Sequence, residues 1–245
     1  MISIVIPTYN AEGMIGTTLE DYLSLFSKEY PQGFEIIVVP NGCTDRTSEI
    51  VNDYCNKFPQ VRSESFEEKL GKGGALIKGL GMAYGDIVAF VDADGATSPK
   101  ELHKLIKQIE GVDGIIGSRW LPGSNILAKQ SLMRRIASRG FNLLVRLLFG
   151  LPYNDTQCGA KVFKRHAIAQ TIDDLETPGF TFDVELLYKA KKKGFVIKEA
   201  PIVWEDKLGS TLDLKKDIPN MFVALIKLRL SNSPFKYAAK HRGRR

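Results

Sequence analysis

Asp92 and Asp94 stand one residue apart, directly after the apolar run Asp86–Val91. A short run of this kind reads as a buried parallel strand, so both carboxylates emerge where it ends. Open α/β sheets hold their ligands at the carboxyl ends of their strands. Two acids at such a mouth suit a hard divalent cation: Mg²⁺ takes one or two carboxylates and completes its shell with water and substrate phosphates. A solvated acidic turn is the other reading of the pair taken alone, because Asp is common where strands end.

The second chemical signal is the distribution of charge. The chain carries 34 Lys and Arg against 28 Asp and Glu, a net charge of +6. No acid occurs from Gly114 to Asn154, a segment holding Arg119, Lys129, Arg134, Arg135, Arg139 and Arg146. None occurs from Leu225 to Arg245 either, where seven basic residues stand. One-sided segments of this kind face phosphate groups, lipid or nucleic acid. Leu132, Ile136, Leu143, Leu144 and Leu147 interleave with the first basic segment as in interfacial helices, and the basic tail adds attraction to an anionic membrane surface. Recognised nucleic-acid motifs (helix-turn-helix, zinc, aromatic ribonucleoprotein) are not apparent, so no nucleic-acid partner is expected.

The elements that must position these residues follow from apolar spacing. Ile2–Ile6, Glu35–Val39, Val61–Phe66 and Asp86–Val91 read as strands, separated by helical stretches at Ala11–Ser27, Thr44–Lys57 and Lys72–Tyr84. A helix at Pro99–Ile109, started by Thr97-Ser98-Pro99, and a strand at Gly111–Ile116 continue the alternation. The pattern predicts βαβ units and a parallel sheet. Beyond Arg119 come the basic stretch Ala128–Gly150, strands at Phe163 and Val196–Trp204, and helices at Asp183–Lys193 and Asp213–Leu230.

Several functions are disfavoured by what the motifs lack. Pro7-Thr8-Tyr9-Asn10-Ala11-Glu12 follows the first strand without glycines, so the dinucleotide fingerprint is missing there. Gly71-Lys72-Gly73-Gly74 places Leu76 where a third fingerprint glycine would fall, and no Lys-Ser or Lys-Thr follows it as in a P-loop. Tyr9 at a strand end either stacks on a flat base or fills the core at the helix start. The three cysteines match no metal-ligand spacing and read as reduced structural thiols. The opening apolar stretch is too short for a signal peptide, and no stretch is long enough to span a bilayer.

Taken together, Pro7-Thr8-Tyr9-Asn10, Asn41-Gly42-Cys43-Thr44-Asp45, Lys69–Gly74 and Asp92-Ala93-Asp94-Gly95 resemble an inverting glycosyltransferase of the GT-A fold. Gly117-Ser118-Arg119, Asp155–Gly159 and Phe182-Asp183-Val184-Glu185 narrow the resemblance to the polyprenyl-phosphate hexose synthases, nearer the dolichyl-phosphate glucose branch than the mannose branch. The resemblance covers about Met1 to Leu212. It implies an α/β fold of Rossmann-like type, a mostly parallel sheet flanked by helices, with a basic amphipathic C-terminal half. Residues 1–212 would form a single domain, with a nucleotide-sugar half (1–118) and an acceptor half (119–212), and 213–245 a helix and basic tail.

The resemblance also implies roles. Tyr9 would stack on the nucleotide base, with Pro7, Glu12, Asn41, Lys72 and Gly73 around the nucleotide sugar. Asp92 and Asp94 would hold Mg²⁺ or Mn²⁺ on the diphosphate, with Asp92, Asp94 and Arg119 as the catalytic group. Arg119, Arg134 and Ser138 would bind the phosphate of a polyprenyl or dolichyl acceptor. Asp155 and Gln157 are candidates for the sugar pocket, with Asp155 alternatively capping the turn after Asn154. A nucleoside-diphosphate sugar would be the donor, UDP-glucose favoured on this branch, with GDP-mannose or a non-lipid acceptor as the alternative because Asn41 replaces an acid that reads the base. The enzyme would work as a cytoplasmic, peripherally membrane-associated protein. Three departures from the family pattern stand out. Ala11 precedes Glu12 where an acid is usual, Pro40-Asn41 replaces two aspartates, and the segment around Lys207 and Ser210-Thr211 lacks the arginine and Ser-Lys pair of the mannose synthases.

Such chemistry requires few parts. An acceptor phosphate monoester has its second pKa at about 6 and is already a dianionic nucleophile at neutral pH. It needs no general base, in keeping with His103, His166 and His241 lying in no recognisable motif.

Overall fold

The apolar runs and the amphipathic stretches between them form an alternating series in a computed structural model that describes residues 1–127, 132–205 and 214–232. In chain order these are β1 (Ile2–Thr8), α1 (Ile15–Glu29), β2 (Phe34–Pro40), α2 (Thr47–Lys57), β3 (Val61–Ser63), α3 (Gly71–Gly81), β4 (Ile87–Phe90), α4 (Pro99–Lys107) and β5 (Gly114–Ser118). Then follow β6 (Asn125–Ile126), α5 (Leu132–Phe149), β7 (Lys161–Lys164), α6 (Arg165–Thr171), a 3₁₀ turn (Ile172–Asp174), α7 (Phe182–Lys192), β8 (Ile197–Pro201), β9 (Val203–Trp204) and α8 (Leu214–Ser231).

Contacts group the chain into two units, Met1–Lys129 with Asn154–Ser210, and Gln130–Tyr153 with Thr211–Arg245. The first unit holds a seven-stranded sheet in the order β3-β2-β1-β4-β7-β5-β8. All neighbours are parallel except β7, which runs antiparallel to both β4 and β5. Every residue of β2 and of β5 is buried, as strands covered on both faces must be. Ile4, Ile15, Leu19, Phe26, Ile36, Leu102 and Val162 are among the residues of the core.

Among the element boundaries, two departures from the spacing-based expectation and one agreement stand out. Helix α1 begins four residues later than Ala11, because Asn10 takes a left-handed turn (φ 47°) and the Ala11 N–H donates to Thr47 Oγ1 at 2.7 Å. Strand β3 stops at Ser63, leaving Phe66 as an isolated bridge to Asn41. The α4 start matches its reading: Ser98 Oγ accepts from Glu101 N, and Pro99 occupies the first turn.

In the second unit, α5 leaves Met133, Ile136, Leu143 and Leu147 exposed, and Arg135, Arg139 and Arg146 are exposed along the same helix. Helix α8 leaves Phe222, Val223 and Leu230 exposed while burying Leu225 and Leu228. No helix among the described residues is long and apolar enough to cross a membrane.

Candidate active site

The strand directions decide what meets what. Parallel strands β1, β2, β4 and β5 end at one edge of the sheet, so Tyr9, Asn41, Asp92 and Arg119 all leave there. Because β7 is antiparallel, it begins at that same edge, and the loop before it (Asp155 to Ala160) joins the group.

The loop after β4 is anchored from α1. Thr18 Oγ1 donates to Ala93 O at 2.9 Å, and the buried Tyr22 hydroxyl donates to Thr97 O at 2.9 Å. Asp94 Oδ1 accepts from Ala96 N at 2.9 Å, an Asx turn that holds the second carboxylate in place. Asp92 Oδ1 meets Lys72 Nζ at 2.7 Å, with 37% of its side chain accessible and 17% of the lysine's. Burial alone would push the Asp92 carboxyl up, but Lys72, with Lys161 and Arg119 beyond it, holds it below the usual carboxylate range. Burial likewise opposes the Lys72 charge, and Asp92 and Asp183 outweigh it, raising the ammonium above the ordinary lysine value. A Cβ at Gly159 would stand 2.1 Å from Asp92 Oδ2, so only glycine lets the carboxylate sit where it does.

Behind this pair lies a second one. Lys161 is fully buried and donates to Asp183 Oδ1 and to Cys158 O, each at 2.5 Å, with its ammonium 5.4 Å from the Phe90 ring centre. Asp183 is in the first turn of α7, where an acid is favoured by the helix dipole. Its Oδ2 is buried with no hydrogen bond and lies 3.8 Å from Lys72 Nζ.

Arg119 is held differently. Its Nε and Nη2 donate to the two oxygens of Asp155 at 2.7 and 3.0 Å, and its backbone N–H adds a third bond at 3.0 Å. The Trp204 ring lies 5.2 Å from the guanidinium carbon. Asp155 is itself placed by Glu199 of β8, which accepts from Asn154 N, Asn154 Nδ2 and Asp155 N at 2.8–2.9 Å. Burial works against the Arg119 charge, and Asp155 more than restores it.

On the β1–β2 side, the Tyr9 ring is 38% exposed, and Lys69 Nζ sits 3.6 Å from its centre on one face. Pro7 is half-buried within β1. Glu12 Oε2 accepts from Arg46 N at 2.9 Å, and Glu12 N donates to Asp45 at 3.0 Å, tying the two loops together. Asn41 is buried; its amide donates to Thr8 O at 2.8 Å and accepts from Gly71 N at 3.1 Å. Gly73 packs against the loop before α7: its N–H donates to Pro178 O at 2.8 Å, and a Cβ would meet Thr177 O at 2.2 Å. With Gly74 N also on Pro178 O, the start of α3 is engaged by the protein's own carbonyls rather than forming an open anion cradle.

The pair suits a hard cation in its donor chemistry: two carboxylates, that of Asp92 held ionised by neighbouring positive charge. Among the described residues no group of three or more His, Cys, Asp and Glu gathers, so Asp92 and Asp94 would need the diphosphate and water to complete a shell.

The model of glycosyl transferase family 2 matches residues 3–171. This chain belongs to that family. Dolichyl-phosphate beta-glucosyltransferase of Saccharomyces cerevisiae is 34% identical over 249 aligned residues, 94% of this chain and 74% of that protein. The Homo sapiens protein of the same name is 33% identical, over 86% of this chain and 69% of that one. Glycosyltransferase AglD of Haloferax volcanii is 34% identical over 90% of this chain, which spans 35% of AglD. Among solved structures, glucosyl-3-phosphoglycerate synthase from Mycobacterium tuberculosis, crystallised with Mn²⁺, UDP and glucosyl-3-phosphoglycerate, superposes with a TM-score of 0.67 at 21% identity. That match covers 94% of this chain and 79% of the synthase, and it shows the shared fold.

Of the residues expected at this family-2 site, the first unit brings Pro7, Tyr9, Glu12, Asn41, Lys72, Gly73, Asp92, Asp94, Arg119, Asp155 and Gln157 to one edge of its sheet. Gln157 Nε2 is buried there without a hydrogen bond. Ser138 lies half-buried on α5 of the second unit. The side chain of Arg134, and the segment with Lys207 and Ser210-Thr211, lie outside the described residues. Spacing missed Lys161, Glu199 and the pairing of Asp183. The one available signal was a lysine beginning an otherwise apolar strand segment (Lys161-Val162-Phe163), since lysine is almost never fully buried unless paired.

Proposed function

We propose that this glycosyltransferase moves a hexose, glucose by preference, from a UDP-sugar to a polyprenyl or dolichyl phosphate, with Mg²⁺ or Mn²⁺ and with inversion. The observation that carries this reading is the ionised Asp92 at the mouth of the sheet, beside Asp94, in a chain similar over most of its length to dolichyl-phosphate beta-glucosyltransferases. Asp92 and Asp94 would hold the cation, which supplies charge neutralisation to the departing diphosphate. Before the cation arrives, Lys72 holds the Asp92 carboxyl below the usual carboxylate range. Arg119, presented by Asp155, would contact the acceptor phosphate, and Arg134 and Ser138 keep the acceptor-phosphate role that the family resemblance implies for them. Attack by the phosphate oxygen on the face opposite the diphosphate inverts the anomeric carbon in a single displacement.

Peripheral attachment to the cytoplasmic leaflet is supported by the exposed apolar side chains of α5 standing among arginines. A donor panel of UDP-glucose, UDP-N-acetylglucosamine and GDP-mannose, with a polyprenyl phosphate and Mn²⁺, tests donor and acceptor together. UDP-glucose should give the fastest transfer, and NMR of the fresh product should show the β anomer. Fast transfer from GDP-mannose alone, or a retained α linkage, would overturn the reading.

A further inference from the structure

Lys72 stands between two carboxylates that differ in one respect. Asp92 is partly open to solvent and engages Lys72 directly at 2.7 Å; Asp183 is 1% exposed and offers a buried oxygen at 3.8 Å that has no hydrogen bond. A buried carboxylate oxygen without a donor is costly and calls for an explanation in the working of the site. Asp183 cannot turn to relieve the deficit, because Oδ1 is fastened to the fully buried Lys161, itself fixed on Cys158 O. A second lysine already occupies Asp183 Oδ1 and leaves Oδ2 without a donor.

We infer that Lys72 is an exchangeable counter-charge: it neutralises Asp92 until a divalent cation takes that carboxylate, and Asp183 Oδ2 then receives the ammonium. Closing from 3.8 Å to a charge-assisted hydrogen bond of about 2.8 Å requires only a rotamer adjustment of the lysine. The four side chains Lys161, Asp183, Lys72 and Asp92 thus form an alternating row of charge. When the cation enters at one end, Lys72 moves one step along the row and no charge is left unpaired. Asp183 and Lys161 are in this sense positioning residues for the metal site. The inference rests on the proposed divalent-cation chemistry at Asp92 and Asp94.

The test is Mn²⁺ binding to the full-length protein without nucleotide, by calorimetry and electron paramagnetic resonance, with UDP affinity measured in parallel. Lys72→Met removes the competitor and should tighten Mn²⁺ binding by about tenfold. Asp183→Asn alone would strand the buried Lys161, so it is paired with Lys161→Met. That double variant removes the carboxylate charge that would receive Lys72 and should weaken Mn²⁺ binding by about tenfold, within the usual range of coupling between sites. Adding Lys72→Met to the double variant should restore the affinity of the single Lys72→Met protein. Unchanged or weaker Mn²⁺ binding in Lys72→Met would overturn the inference, as would a double variant with parental affinity or a deficit that Lys72→Met leaves in place. A parent protein that binds UDP-sugar but no Mn²⁺ would remove the metal reading as well. Parental Mn²⁺ and UDP affinities with unresponsive variants would sink this inference alone.

Discussion

The two charged pairs at the sheet edge are built to opposite ends. Asp92 and Lys72 share one contact, and more than a third of the Asp92 side chain is open to solvent. Arg119 and Asp155 share three hydrogen bonds, are nearly closed off from solvent, and are held from behind by Glu199 and on one side by Trp204. The first pair can be broken by an incoming ligand at small cost. The second cannot, because separating a buried bidentate pair exposes two uncompensated charges. The Asp92–Lys72 pair, on the proposed donor side, is therefore adaptable, and the Arg119–Asp155 pair, on the proposed acceptor side, is rigid. That division would suit the proposed reaction, in which metal and nucleotide come and go while the guanidinium stays in one place.

Substitution should separate the two pairs most sharply. Asp92→Asn is expected to lower turnover by about 10³-fold and to leave the urea unfolding midpoint close to parental. Asp155→Ala should instead cost about 3–5 kcal/mol of stability by stranding Arg119. Similar stability losses in both variants would erase the distinction.

The pH dependence offers a smaller effect. A carboxylate with a depressed pKa contributes stability above its ordinary value, and that contribution is lost only as pH falls through its own lower value. Asp92 is such a group, so UDP–Mn²⁺ binding should stay flat from about pH 8 to about pH 5. Turnover should nonetheless fall below about pH 6, where a phosphate-monoester acceptor is protonated from dianion to monoanion. An acid limb shared by binding and turnover would place the titrating group on the donor side instead.

The mildest probe is thiol reactivity. Cys158 is buried beside the Arg119–Asp155 pair, and burial together with the Asp155 charge pushes its thiol up to about 11. Cys43, half-buried in the loop after β2, should react with iodoacetamide at pH 8 while Cys158 stays unlabelled, and UDP should slow Cys43. Labelling of Cys158 in the folded protein would show that the rigid side opens.

Much of this was legible in one dimension. The alternation of short apolar runs with helical stretches marked β1, β2, β4 and β5, and the polar residues that end those runs are Tyr9, Asn41, Asp92 and Arg119. Local rules suffice there, because a parallel strand delivers whatever follows it to the carboxyl edge. Asn41 shows where local rules stop. Its amide joins Thr8 to Gly71 across elements 30 or more residues apart, which no spacing along the chain indicates.

By itself, the amino-acid sequence determined the βαβ rhythm, the acidic pair at a strand mouth and the acid-free basic segments, since these depend on neighbours within a few residues. Tertiary structure alone decided that β7 enters the sheet reversed, between β4 and β5, and so brings Asp155 and Lys161 to the same edge as Asp92. It alone paired Lys161 with Asp183, 22 residues away, and Asp155 with Arg119, 36 residues away. Ion pairs of that range form because burial makes an unpartnered charge untenable, and which partner answers depends on the packing of the whole sheet.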